Sequence, residues 1–222
     1  MITISKETLQ FLKDLKENNN RDWMQDNKKR YQAAKENAQE FVTALINRIA
    51  DFEPSVMMLE AKDVMFRLHR DVRFSKDKTP YKTHFSAAIS KGGKKSDSAG
   101  FYFQISPDKF WMAGGVYHPE KERLFHLREE LAENGGEFLS IMNDKDFSST
   151  FTFWGDQLKR IPKGFDKEDP MEHWIRHKDF LVQHEAPAKM IGHKDMLDYC
   201  DEVYRKMKPF NDYVNKPLAL KE

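Results

Sequence analysis

The spacing of apolar residues changes along this chain of 222 residues, and the change constrains the class of fold. In residues 1–55 apolar side chains recur every three or four positions, which is the period of a helix packed along one face. From Val64 they alternate with polar residues, which is the period of a strand in a half-buried sheet. Helices followed by consecutive strands predict an α+β fold, because a parallel sheet would need helices between its strands.

Two helices are expected in residues 1–55. Ser5 is predicted to cap the first helix, and the asparagine run at residues 18–20 is predicted to end it and to cap the second. The second helix carries one apolar stripe along its length. Pro54 forbids its continuation, because proline lacks the N–H that a helix interior needs.

The alternating pattern predicts a meander of short antiparallel strands over residues 64–117. Phe101 and Phe103 share one face and are expected to be buried. The glycine-containing segment 91–97 is predicted to be a loop between two strands. The connections are too short for crossover helices, so neighbouring strands are expected to run antiparallel.

Residues 119–222 are predicted to be mainly helical, with one or two added strands. Pro119 suits the first position of a helix, and the sequence Asn-Gly-Gly at residues 134–136 is a typical end signal. Residues 150–154 and 180–184 are candidate strands, and a last helix is expected to end near Pro209. The whole chain is therefore expected to be a single α+β domain, with N- and C-terminal helices packed on the antiparallel sheet.

Composition excludes several classes of protein. The chain has 37 Lys and Arg against 36 Asp and Glu, a net charge of +1, which excludes a globally basic nucleic-acid coat and an acidic tail. The single cysteine, Cys200, excludes an intrachain disulfide and a cysteine-based zinc cluster and indicates a reducing compartment, so we expect the cytoplasm. We find no signal sequence or apolar membrane span and expect neither secretion nor membrane insertion.

The densest feature is residues 67–84, which we call the basic loop. It contains six basic and two acidic residues, a net charge of +4 in a chain whose total is +1. Cations this close repel one another unless they are solvated or an anion neutralises them. The predicted ligand-binding residues are Arg67, Arg70, Arg73, Lys76, Lys78, Tyr81 and Lys82. Asp71 and His84 are the candidates for acid and base if the ligand reacts.

Residues 66–86, FRLHRDVRFSKDKTPYKTHFS, resemble the signature of the bacterial domain-of-unknown-function family 2461. The resemblance extends over nearly the whole chain, through residues 18–23, the pair Gly114 and Gly115, and residues 158–165. It implies membership of a family and supplies no activity. A function must therefore be argued from the residues themselves.

Three functions are compatible with the basic loop. The first is a binder of, or an enzyme acting on, a phosphate-bearing small molecule held by its cations. The second is contact with nucleic acid, using the loop together with Lys91, Lys94 and Lys95 and with Tyr81 and Phe101 as stacking surfaces. The near-neutral net charge disfavours this second function. The third is a non-catalytic interaction module for an acidic partner. The sequence names no cofactor and no oligomeric state.

A pair of histidines is a candidate metal site. His173 and His177 are four residues apart on a predicted helix, and His184 would be a third ligand. The pair lacks the acidic residue of an H-E-x-x-H motif, and no cysteine assists it, so we expect no metal site.

Overall fold

A computed structural model of the protein describes residues 2–219. Its α-helices are α1 (Lys6–Glu17), α2 (Arg21–Asp26), α3 (Lys28–Ala50), α4 (Ala61–Val64), α5 (Lys121–Asn143), α6 (Lys145–Thr150), α7 (Glu172–Ile175) and α8 (Met196–Ala219). Short 3-10 helices span Pro54–Val56 and Ala188–Met190. The strands are β1 (Phe85–Ile89), β2 (Gly100–Ile105), β3 (Phe110–Val116), β4 (Thr152–Trp154) and β5 (Phe180–Glu185).

The strands form one five-stranded antiparallel sheet in the order β1-β2-β3-β5-β4, which confirms the predicted α+β fold. Phe101 and Phe103 of β2 are buried as expected, whereas Tyr102 between them is only partly covered. In the added pair of strands, Trp154 lies opposite Leu181. The alternation of burial along β2 shows that one face of this strand is packed and the other is more open.

The sheet begins later than the sequence pattern predicts. Residues 65–84 form no regular strand, and their ladder contacts are the isolated antiparallel bridges Met65↔Ala87 and His69↔Tyr81. The alternation holds for Leu68, which is buried, and fails at Phe74, which is 96% exposed. Hydrogen bonds within residues 70–79 replace a ladder there, as described below, so the chain leaves the strand conformation.

Two predicted helix ends are wrong. Helix α5 continues through residues 134–136 with a kink, where Asn134 has non-helical φ and ψ of −125° and 26°. Gly135 lies in close contact with Met171: a Cβ there would lie 2.5 Å from the Cγ of Met171, so this glycine serves helix packing and does not end the helix. Helix α8 continues past Pro209, which lies within it. Proline at this position removes a backbone hydrogen bond, but Phe210 and Tyr213, which follow it in the continued helix, are buried, and that burial offsets the loss.

The contacts of the described residues divide into two compact units. The first unit comprises residues 2–94, 102–112 and 185–202, and the second comprises residues 95–101, 113–184 and 203–219.

In the first unit, helix α3 packs on the sheet. The ring of Phe41 from α3 lies 5.3 Å from that of Phe103 in β2, and Phe103 lies 5.7 Å from Phe110 in β3. Helix α1 packs against α3, where the side chain of Asn37 accepts a hydrogen bond from Thr8 and donates one to the carbonyl oxygen of Thr3. These contacts account for the burial predicted for the N-terminal apolar stripe.

In the second unit, helix α8 packs on the sheet, as predicted for the C-terminal helix. Phe101 of β2 makes an edge-to-face contact with Tyr204 of α8, with 5.2 Å between ring centroids. Phe138 of α5 contacts the rings of Tyr213 and Trp174, so α5, α7 and α8 share one aromatic core. Rings of this size supply the buried area that a chain with 39% hydrophobic residues needs.

In residues 2–219, none of the helices has the combination of length and apolar composition that crossing a membrane requires.

Candidate functional site

The basic loop is an irregular hairpin whose two arms are joined by backbone hydrogen bonds. The Lys82 N–H donates to the carbonyl oxygen of Leu68 at 2.8 Å, and the Arg70 N–H donates to that of Pro80 at 2.9 Å. Just outside the loop, the Phe66 N–H donates to the carbonyl oxygen of Ser86. These bonds fix the start and end of the loop, and residues 71–79 project between them.

Arg70 closes the projecting part of the loop. Its Nη1 donates to Asp77 Oδ2 at 2.5 Å, to the Thr79 hydroxyl, and to the Thr79 carbonyl oxygen at 3.1 Å. The Thr79 N–H donates to Asp77, and this bond, followed by that from Arg70, lowers the pKa of Asp77 to about 2. The charge of Arg70 is therefore used within the loop itself.

Arg73 and Lys78 also have partners inside the loop. Arg73 donates from Nε and Nη2 to the two carboxylate oxygens of Asp71, at 3.0 and 2.7 Å. These bonds lower the pKa of Asp71, one of the two candidate acid–base groups. Lys78 Nζ donates to the carbonyl oxygen of Val72 at 2.9 Å. Asp71 is therefore engaged by its own loop as a carboxylate.

The other three cations of the basic loop are not held by partners within it. Among residues 2–219, the head groups of Arg67, Lys76 and Lys82 take part in no hydrogen bond or ion pair, although the charge of Arg67 adds to the lowering of the pKa of Asp71. Arg67 and Lys76 are exposed, whereas Lys82 is partly buried, with its Nζ 5.1 Å from the centroid of the Phe66 ring. Burial, and then the charge of Arg67, lowers the pKa of Lys82. Lys82 is thus a desolvated cation without a carboxylate.

His84 lies beside this lysine. Burial lowers the pKa of His84 to about 4, and the positive charge of Lys82 acts in the same direction. The imidazole is therefore neutral at pH 7 and can donate one N–H. The charge of Arg67 acts on Lys82, and that of Lys82 acts on His84, so Lys82 lies within electrostatic range of both of these predicted residues. We call Arg67, Lys82 and His84 the cationic cluster.

The aromatic residues near the basic loop are arranged differently from the stacking surfaces considered above. Tyr81 is 6% exposed and packs edge-to-face on His69, and Phe101 is 2% exposed, so neither presents a ring face to solvent. Phe74 is the exposed ring of the loop, with the guanidinium carbon of Arg73 5.8 Å from its centroid. Phe66 is the aromatic neighbour of the cationic cluster that the sequence did not single out.

Asn19, outside the loop, has a role that sequence reasoning missed. Its carboxamide accepts a hydrogen bond from the Tyr81 N–H and donates one to the Tyr81 carbonyl oxygen. No spacing rule finds a contact between residues that are 62 positions apart. The asparagine run at residues 18–20 suggested only helix caps.

The candidate metal-binding histidines have other partners. Gln157 Nε2 donates to His177 Nε2 at 2.7 Å and lies 3.5 Å from His173 Nε2. The His184 Nδ1–H donates to the carbonyl oxygen of Thr150 at 2.8 Å. Within the described part of the chain, no three His, Cys, Asp or Glu side chains are grouped as a metal site would require.

Comparison with known proteins gives one match. The family model described as "Conserved hypothetical protein (DUF2461)" matches residues 7–213, which is nearly the whole chain and includes the entire basic loop. No curated protein and no solved structure matches the chain. Because the match spans the helices, the sheet and the loop together, the chain belongs to the DUF2461 family of conserved hypothetical proteins.

Proposed function

We propose that this protein binds a phosphate-bearing small molecule at the cationic cluster of the basic loop. The observation that carries the proposal is the state of Lys82, a partly buried ammonium group with a cation and a neutral imidazole beside it and no described carboxylate in ion-pair contact. Removing a cation from water without pairing it is costly. A bound anion would supply the missing counter-charge.

The chemistry of the cluster suits a phosphate group. The guanidinium of Arg67 offers several donors in a plane, Lys82 offers a compact charge, and His84 offers one neutral N–H. Phosphate oxygens accept all three kinds of hydrogen bond. The ring of Phe66 excludes water from one side of Lys82, and this strengthens its attraction for an anion.

A small ligand is favoured over the alternatives by the ring positions and the internal ion pairs. Tyr81 and Phe101 are buried, which removes the stacking surfaces that a nucleic-acid site would use. Arg70 and Arg73 are paired with acids of their own loop, so the basic surface available to an extended acidic partner is smaller than the sequence suggests. The proposal concerns binding, since Asp71 is engaged by Arg73 and His84 is a weak base.

Isothermal titration calorimetry on the full chain tests the proposal, with inorganic phosphate, glucose 6-phosphate and AMP as probes at constant ionic strength. Replacing Lys82 or Arg67 with alanine should weaken binding by about 1.5–3 kcal/mol, a loss of roughly tenfold to a hundredfold, because each change removes a charge-assisted hydrogen bond. Lys29→Ala removes an exposed lysine from helix α3 and should leave the affinity unchanged.

Other outcomes would overturn the proposal. Equal affinity in Lys82→Ala and the parent protein would place the anion elsewhere. Tight binding of an oligonucleotide, with equal contributions from Lys91, Lys94 and Lys95, would support the nucleic-acid alternative. Binding of polyglutamate and of no small anion would support the interaction module.

We also propose that the protein works in the cytoplasm. Its one cysteine, Cys200, is fully buried, and burial raises the pKa of the thiol, so the chain carries no cysteine suited to disulfide formation in an oxidising compartment. Fractionation of cells that express the protein should recover it with cytoplasmic markers, and recovery from an oxidising compartment would refute this location.

A further inference from the structure

The second unit contains a residue in an unusual backbone conformation. His118 follows β3 and has φ of +50°, and it is the one non-glycine residue with positive φ in the described chain. The left-handed region is unfavourable for a residue with a side chain, and such residues are enriched at binding sites. His118 therefore requires a specific interaction that holds it there.

The buried carboxylate of Asp179 provides that interaction. Its Oδ1 accepts a hydrogen bond from the His118 backbone N–H at 2.7 Å and lies 3.2 Å from His118 Nδ1. The side chain of Asp179 is 4% exposed, whereas that of His118 is 66% exposed. The negative charge of this carboxylate favours the tautomer of His118 that carries its proton on Nδ1. In the neutral imidazole, Nε2 is then the acceptor, on a side chain that is largely in solvent.

Two exposed aromatic rings lie next to this histidine. The ring of Tyr117 is 3.9 Å from the His118 ring, measured between centroids, and 5.9 Å from the ring of Trp154. The planes of Tyr117 and Trp154 differ by only 7°, and the two residues are 59% and 44% exposed. The two rings are therefore stacked on one another, and the parts of them that remain in solvent form an apolar surface beside the His118 ring.

Gly155 determines how closely the Trp154 segment approaches Asp179. A Cβ on Gly155 would lie 2.6 Å from the backbone oxygen of Asp179, so a larger residue would push the two segments apart. The glycine therefore keeps the segment that carries Trp154 against the one that carries Asp179. The site is assembled from three separate parts of the chain, at residues 117–118, 154–155 and 179.

We propose that Tyr117, His118 and Trp154 form a second ligand site, independent of the cationic cluster, which takes an uncharged sugar ring. The apolar C–H face of a pyranose stacks on flat aromatic rings, and one of its hydroxyl groups donates to Nε2 of His118. Such a combination of apolar surface and a few fixed polar groups is typical of small-ligand sites.

The charges around the site favour a neutral ligand over a phosphorylated one. Asp179 contributes a buried negative charge 3.2 Å from Nδ1 of His118. Lys178, its neighbour in sequence, lies 3.7 Å from a carboxylate oxygen of Asp156 and is therefore already paired. A phosphate group would meet repulsion from Asp179, whereas sugar hydroxyl groups carry no charge to repel.

Saturation-transfer NMR on the full chain tests the site with glucose, galactose, N-acetylglucosamine and cellobiose as probes. At least one of these sugars should show transfer to its ring C–H protons. The dissociation constant should rise by about tenfold or more in Trp154→Ala and in Tyr117→Ala, and also in His118→Ala. Phe125→Ala, which removes another exposed ring of the second unit, and Lys29→Ala, which removes an exposed lysine of helix α3, should leave sugar binding unchanged.

Each remaining outcome contradicts the site. Absence of transfer to all four sugars overturns the proposal, as does transfer that persists in both aromatic variants. Binding of uncharged adenosine or thymidine through the same residues, without sugar binding, overturns the assignment of a sugar. Circular dichroism checks that each variant is folded, and if Trp154→Ala does not fold, Tyr117→Leu decides the matter.

Discussion

Asn19 and Tyr81 are joined by two hydrogen bonds, both through the backbone of Tyr81. The Asn19 Nδ2 donates to the Tyr81 carbonyl oxygen at 2.9 Å, and the Tyr81 N–H donates to Asn19 Oδ1 at 3.1 Å. The carboxamide thus pairs with Tyr81 as a neighbouring strand would. Asn19 lies between α1 and α2, so this junction anchors the second arm of the basic loop at Tyr81, one residue before Lys82.

Asn19→Ala should therefore destabilise the protein. It leaves the N–H and the carbonyl oxygen of a buried residue without their partner, which should lower the free energy of unfolding by about 1–3 kcal/mol. Urea denaturation measures the change. Asn18→Ala, which removes an exposed side-chain bond to the carbonyl oxygen of Asp14, is the control and should have a smaller effect. Equal losses in the two variants would show that the anchor does not stabilise the fold beyond an ordinary surface bond.

Arg70→Ala should loosen the basic loop without unfolding the protein. The change removes the bonds that hold Asp77 and Thr79, so amide hydrogen exchange in residues 71–79 should become faster. Arg73→Ala breaks an exposed ion pair with Asp71, which is worth little, and should change exchange less. Hydrogen-exchange mass spectrometry compares the two, and identical exchange in Arg70→Ala and the parent would contradict the role given to Arg70.

Two glycine substitutions should change the stability of the protein in opposite directions. Gly136 lies in helix α5, where an added Cβ would meet no neighbouring segment within 4 Å, so Gly136→Ala should stabilise the protein by up to about 1 kcal/mol. Gly115 has φ of +109°, and a Cβ there would overlap the backbone oxygen of Phe180. Gly115→Ala should destabilise by about 3 kcal/mol or more, since both strain and overlap act. Thermal unfolding tests both predictions: the unfolding temperature should rise in Gly136→Ala and fall in Gly115→Ala.

Stability should decrease as the pH is lowered because of His177. Burial, followed by the charge of His173, lowers the pKa of His177 to about 4 in the folded protein, against about 6.5 when unfolded. The unfolded chain therefore binds more protons in this interval. The stability that His177 contributes is complete above about pH 6.5 and is lost as the pH falls toward 4, by up to about 3 kcal/mol.

Urea midpoints measured between about pH 7 and 5 test this dependence. In this range most carboxylates stay ionised in both the folded and the unfolded protein. Histidines therefore dominate the slope of stability against pH. His177→Gln should flatten the slope, and the part that remains should include His84, whose pKa is also lowered to about 4. A slope unchanged by His177→Gln would contradict the prediction.

Local patterns predict well those elements that local interactions control. The Ser5 side chain accepts from the Thr8 N–H, and Asn20 accepts from that of Trp23, as the capping rules require. Burial of Phe101 and Phe103 follows directly from the period of two. Each of these features depends on neighbours within a few positions, and those neighbours can be read from the order of residues.

Local rules fail where packing between distant segments outweighs them. Pro209 favours a helix end, but the helix continues and carries Phe210 and Tyr213, which follow the proline, into the core. Phe74 belongs by its spacing to a buried row, yet Arg70 and Asp77 close the loop around a turn that leaves its ring in solvent. The energies of such contacts depend on distances that spacing along the chain does not contain.

The α+β class, the family resemblance and the excess of positive charge in residues 67–84 follow from the order of residues alone, because period, motif and charge are properties of that order. Which of those cations are neutralised depends on how the chain folds. Asp71 and Asp77 pair with Arg73 and Arg70, while Phe66 covers Lys82, which has no acid beside it among the described residues. Pairing and desolvation depend on separations in space and on exclusion of water, and these exist only once the chain has folded.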